Sequence, residues 1–161
     1  GDLKNFLLSI RKANENLEER IADHIKSLFS KSASLKILMS GIAFKGVPQT
    51  NDLRGSSAVK ILDQLSEHAS QITIHDFMNS KSELSVVSKI KAIDQEEIFN
   101  RLSLSYDYIF ILNNNPQYKS TKMQKFIANQ ISNGAKIIDT WDVMKLDKQF
   151  TLSNLFIGSS L

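Results

Sequence analysis

The sequence predicts one α/β domain, a parallel sheet with helices on both faces, led by a long amphipathic helix. Three observations predict it. Short apolar runs alternate with helical periodicities between residues 35 and 139, the order that strand–helix–strand units require. One of those runs, residues 106–112, is apolar on both faces, as a central parallel strand must be. The 161 residues, 42% hydrophobic and 23% charged, fit one domain able to bury roughly two thirds of its unfolded surface.

The elements follow in order. Leu3 to Phe29 contains neither Pro nor Gly, and Leu3, Leu7, Ile10, Leu17, Ile21, Ile25 and Leu28 recur at helical spacing. Such a helix is about 40 Å long, more than a domain this size needs to cover its core. Asn14 interrupts the stripe between Ile10 and Leu17. It is either a fluctuation at the stripe's edge or a buried polar residue that fixes register against a partner helix. Residues 35–40, closed by Gly41, read as a buried strand. Ser56 caps a helix carrying Val59, Ile61, Leu62 and Leu65 to about His68. Residues 71–76 form a second, β-branched strand, 78–90 a weak helix, and 91–93 a third strand ahead of a helix over 95–102. After the strand at 106–112 comes a helix over 121–132, ended by Asn133-Gly134. A strand over 135–139 and a last one over 155–157 complete a Rossmann-like sheet. The division is a connecting or dimerisation helix over 1–31 and an α/β domain over 32–161.

Composition excludes several classes. Twenty Lys+Arg against seventeen Asp+Glu leaves +3, too mild and too dispersed to argue for nucleic acid. The absence of cysteine removes disulfides, thiolate zinc sites and a cysteine nucleophile. No apolar run approaches 18 residues and no leader-like start is present, so a cytoplasmic protein without a membrane segment is expected. Gly1 in place of an initiator Met points to a cut fragment with a tag scar. His24, His68 and His75 lack other metal-type ligands at suitable spacing, so they are expected to be structural, with no metal bound.

Ligands of such sheets bind beyond the carboxyl ends of the strands, which directs attention to residues 40–54, 75–76, 113–117 and 139–142. No Gly-x-Gly-x-x-Gly follows the first strand, where Gly41 and Gly46 stand apart, and no Gly-x-x-x-x-Gly-Lys-Ser/Thr occurs. The most specific stretch is the loop from Gly41 to Ser56. Lys45 and Arg54 are two cations on a Gly/Pro-shaped loop, suited to a phosphate or diphosphate that Arg54 could grip bidentately. Taken alone, such a pair is more often merely solvated, with Asp52 pairing Arg54 and pinning the loop.

The same residues carry a family resemblance. Gly41-Ile42-Ala43-Phe44-Lys45, followed by Thr50-Asn51-Asp52-Leu53-Arg54-Gly55-Ser56, resembles the signature of the C-terminal domain of UDP-glucose/GDP-mannose dehydrogenases. Ile74-His75-Asp76, Tyr106-Asp107 with the apolar run after it, and Ile137-Ile138-Asp139-Thr140 are similar to later strand ends of that family. Asn14, within Ala13-Asn14-Glu15, is similar to the Asn of the long helix that joins the two halves of such enzymes and forms their dimer core. The likeness covers nearly the whole chain.

The resemblance implies a part in an NAD-dependent, four-electron oxidation of a UDP-sugar or GDP-mannose at C6, within polysaccharide biosynthesis. It implies Phe44 and Lys45 as substrate contacts, with Lys45 the counter-charge of the diphosphate. It implies Arg54 as the group that reaches NAD held mainly by the preceding domain. Ser56 is expected to cap its helix, and Thr50 and Asp52 to shape the loop. No catalytic residue is expected in this chain. The family's cysteine, which holds the aldehyde as a thiohemiacetal, its glycine-rich cradle and its base precede the domain, so the fragment alone is expected to be inactive. A homodimer through the first helix is the expected assembly.

Three departures stand out. The Lys45–Arg54 loop is about two residues longer than the commonest family form. Trp141-Asp142 stands where the family places a substrate-gripping arginine, and Trp141 could stack on a base or fill the surface. Asn113-Asn114-Asn115 replaces a stretch that usually carries Thr and an acid. These departures favour a second reading, a degenerate homologue acting as a non-catalytic binding or assembly module.

Overall fold

A computed structural model of the chain describes residues 2–100 and 103–145, with side chains from Asn16 onward and those of Asn5, Leu8, Ser9 and Lys12 before it. Helix α1 (Asp2–Lys31) is one uninterrupted element. Its second half buries Ile21, Ala22, Ile25, Leu28 and Phe29, which fall on one helical face. That stripe packs beside α2 (Ser57–Asp63). Leu8, on the first half, is exposed, and the side chain of Asn14 lies outside those described.

The sheet contains β1 (Ile37–Ser40), β2 (Ile72–His75), β3 (Lys91–Ala92), β4 (Tyr108–Ile111) and β5 (Lys136–Asp139). All neighbours pair in parallel in the order β3-β2-β1-β4-β5. Alternation along the strands sorts the core into two layers. Ile37, Met39, Ile72, Ile74, Phe110 and Ile138 face α1, α2 and Leu84 of α3 (Lys81–Val87). Leu38, Ile109, Ile111 and Ile137 face Ile98 of α4 (Gln95–Asn100) and Met123, Phe126 and Ile127 of α5 (Thr121–Ser132). The Rossmann-like α/β architecture expected from the sequence is therefore the one observed.

Local boundaries differ in two places. The helix opened by Ser56 ends at Asp63, and a 3₁₀ segment, Ser66–Gln71, completes the connection. This tighter path buries Leu65 fully and brings the His68 ring onto Phe29, with centroids 4.5 Å apart. A second 3₁₀ segment, Pro116–Lys119, was not foreseen. Asn115 caps it, accepting from the backbone of Gln117 at 2.9 Å, and its proline sits at the start, where no amide hydrogen is needed. The strand expected over 155–157 and the last two residues of the helix expected over 95–102 lie outside the described residues.

Candidate functional site

The strand order reverses between β1 and β4, so the crevice where such sheets hold ligands opens beyond Ser40 and Ile111. The two loops leaving these strands interlock there. Gly41 has φ +91°, and a Cβ on it would lie 2.8 Å from the Asn113 nitrogen. At Gly46 a Cβ would lie 2.0 Å from the Asn115 nitrogen, so only glycine allows the two backbones to pass. Gly46 N–H donates to Asn114 Oδ1 at 3.2 Å, and the Asn113 amide donates to the Ala43 carbonyl at 3.4 Å. On the other side, Ala43 N–H donates to Asp76 Oδ2 at 2.8 Å. Phe44 and Lys45 are thus carried on a backbone fixed immediately before and after them.

Beneath this loop lies a buried polar network. Ser40 Oγ is 2.8 Å from His75 Nδ1 and 2.7 Å from the Tyr118 hydroxyl. All three residues are fully buried. Burial pushes the His75 imidazole down to about 3, against a weaker upward pull from Asp94, and raises the Tyr118 phenol well above its usual value. Both groups are therefore neutral at physiological pH, and the network anchors the strand end without carrying charge.

The second half of the loop is built differently. Arg54 folds back on Asp52, with Nε to Oδ1 and Nη2 to Oδ2 each at 3.0 Å, and its backbone N–H adds a third bond at 2.9 Å. These bonds to Arg54, its side chain first, hold the Asp52 carboxyl down at about 2. Phe44 N–H donates to the Asp52 carbonyl at 2.7 Å and ties the two halves together. Ser56 Oγ donates to the Ile42 carbonyl at 2.6 Å and accepts from Val59 N at 3.4 Å, the capping role expected of it.

Phe44 borders a hollow of about 430 Å³ that also includes Leu17, Glu18, Ile21, Ser57, Thr140 and Trp141. Lys45 lies beside it, its Nζ 5.9 Å from the centroid of the Phe44 ring. Its ammonium makes no ion pair with a described residue. Arg54 is not brought into this hollow. Its guanidinium is 92% exposed over an open depression shared with Asn79, Glu83 and Val86. The glycines after β1 are packed against Asn113 and Asn115. None of the three histidines lines the hollow, and no group of metal-type ligands occurs among the described residues. No helix among them is long and apolar enough to cross a membrane.

Sequence reasoning missed Glu18, which is buried in the hollow's wall with Lys60 Nζ at 3.6 Å. Its position one residue after Leu17 and three before Ile21, on the buried side of α1, was the available signal. The asparagine clasp was noted only as a departure from a pattern.

Residues 38–146 match the model of the UDP-glucose/GDP-mannose dehydrogenase family, UDP binding domain. No curated protein matches the chain. Among solved structures, a UDP-glucose dehydrogenase from the hyperthermophilic archaeon Pyrobaculum islandicum aligns with TM-score 0.59 at 18% identity. That alignment covers 88% of this chain and 30% of that one. The UDP-N-acetyl-mannosamine dehydrogenase of S. aureus aligns with TM-score 0.62 at 16% identity, over 91% and 32% respectively. The chain therefore spans about a third of these dehydrogenases.

Proposed function

Because the chain belongs to the UDP-glucose/GDP-mannose dehydrogenase family as its UDP-binding domain, we propose that it supplies the nucleotide-sugar half of a site shared with an NAD-carrying domain. The substrate is a UDP-sugar or GDP-mannose. Lys45 neutralises the diphosphate, Phe44 covers the ligand beside it, and Arg54 extends toward NAD. The cofactor, when bound, accepts the hydride from the sugar's C6. This chain's residues bind and orient. With no cysteine in the sequence, it contributes no thiol to hold an aldehyde and by itself is not catalytic.

One observation carries this reading. An ammonium with no carboxylate partner among the described residues sits at the sheet's switch point, on a backbone tied at Ala43 and Gly46. A cation whose backbone is fixed before the ligand arrives loses little entropy on pairing with a diphosphate. The test is calorimetry and amide chemical shifts of the chain with UDP, UDP-sugars and GDP. Shifts should centre on residues 40–46, and Lys45→Ala should weaken binding about ten-fold or more, the loss of a charged hydrogen bond. Equal binding by Lys45→Ala would remove the reading.

Helix α1, whose second half covers the core, is proposed as the dimer element, checked by sedimentation. Trp141 favours the second reading, a homologue that binds without catalysis, because it offers a ring where the resemblance leads one to expect a cation. Measuring NAD reduction by the whole protein separates the two.

A further inference from the structure

We infer that the hollow bordered by Phe44 and Trp141 takes the base of the nucleotide, with Trp141 as its stacking surface; this rests on the nucleotide-sugar reading above. Phe44 and Trp141 are 53% and 55% exposed and border the same hollow. Two large rings left half in water around one concavity mark a place where something apolar and flat is meant to sit. Trp141 is held in place. Its indole N–H donates to the Leu112 carbonyl at 3.1 Å and its backbone N–H to Asp139 Oδ1 at 3.1 Å. With its single side-chain donor engaged, the indole has only π faces to offer a ligand, and every base has a matching face.

The charges divide the ligand the same way. Glu18 puts a carboxylate in the wall, paired with Lys60 Nζ at 3.6 Å, and among the described residues neither Lys nor Arg lines the hollow. A phosphate placed inside would meet no unpaired cation there, whereas a ring N–H finds an acceptor. Lys45, next in the chain to Phe44, lies outside the lining. The diphosphate therefore belongs at Lys45 and the uncharged ring in the hollow. Specificity for the base then depends on α1 as well as on the sheet, because Leu17, Glu18 and Ile21 come from that helix.

Trp141 is the only tryptophan in the sequence, so its fluorescence reports on this hollow alone. The full chain is titrated with UDP, GDP, uridine, guanosine, inorganic pyrophosphate and NAD, with calorimetry in parallel. Emission should change with one nucleoside and its diphosphate and stay constant with pyrophosphate. Trp141→Ala should weaken that diphosphate about ten-fold or more, Trp141→Phe should restore most of the loss, and pyrophosphate affinity should not move. If the nucleotide binds by calorimetry while emission and the Trp141→Ala affinity are unchanged, this inference falls and the nucleotide-sugar reading stands. A response to NAD or pyrophosphate with none to either nucleoside also overturns it. Absence of binding by every nucleotide overturns both. Retention of the amide spectrum in Trp141→Phe shows that the variants are folded.

Discussion

The loop between β1 and α2 has two halves that hold their cations by opposite means. From Gly41 to Gly46 the backbone is gripped by other parts of the fold, Asp76 on one side and Asn113 to Asn115 on the other. From Thr50 to Gly55 the loop grips itself, through Asp52 and Arg54. The first arrangement fixes the backbone around Lys45 and leaves its ammonium unpaired with any described residue. The second occupies the cation and leaves it at the surface. A fold that has to present charge to a ligand does better to anchor the backbone than the charged group, since an ion pair must be broken before the guanidinium can serve elsewhere.

The sharpest way to break the contrast is a methyl group in each half. Gly46→Ala drives a Cβ to 2.0 Å from the Asn115 backbone and should cost about 3 kcal/mol. Gly55→Ala has φ +67° but meets only Phe44 Cε2 at 4.0 Å, so it should cost about 1–2 kcal/mol of conformational strain. Urea unfolding of both variants compares them directly. Equal losses would mean that the clasp carries no more than a turn does.

Acid separates the halves next. The folded state keeps His75 neutral down to about 3 whereas the unfolded chain protonates near 6.5. Below 6.5 the unfolded state holds the extra proton, so stability falls with a slope of about 1.4 kcal/mol per pH unit. About 2 kcal/mol should be gone by pH 5, and His75→Gln should flatten that slope in urea titrations. The Asp52–Arg54 turn behaves otherwise, because its carboxyl titrates near 2 in the folded chain. Its contribution is complete above the ordinary carboxylate range and disappears only as pH falls toward 2, which the Asp52 side-chain carbon shift follows.

The smallest effect is expected from Asp52→Asn. The pair is exposed, so the urea midpoint should hardly move. The arginine would be released for other anions. A large fall in the midpoint would show that the second half also depends on tertiary contacts.

What could be read from the sequence follows the range of each interaction. The five strands and α5 came from short apolar runs and helical periodicity, which reflect burial and are written in neighbouring residues. Pro116–Lys119 and the early end of α2 were lost because a 3₁₀ turn and an α turn bury similar residues. Phe44, Lys45 and Arg54 were found because a loop motif is contiguous, and the Asp52–Arg54 pair was foreseen because its members are two residues apart. The clasp of Gly46 by Asn114 spans 68 residues, and nothing local to either distinguishes it from two polar loops. The sequence left Trp141 between stacking and surface filling, because the bond from its indole to the Leu112 carbonyl joins residues 29 apart in the chain.

Between the clasp and the turn, Val47, Pro48 and Gln49 stand in solvent. Below this short bridge, Phe44 N–H bonded to the Asp52 carbonyl closes the loop at its base, so residues can be added or removed at its apex with the base held. The bridge is thus where this loop can change length over evolutionary time. Because the sequence contains no cysteine, it is also where a single engineered thiol would carry a reporter group a few residues from Lys45.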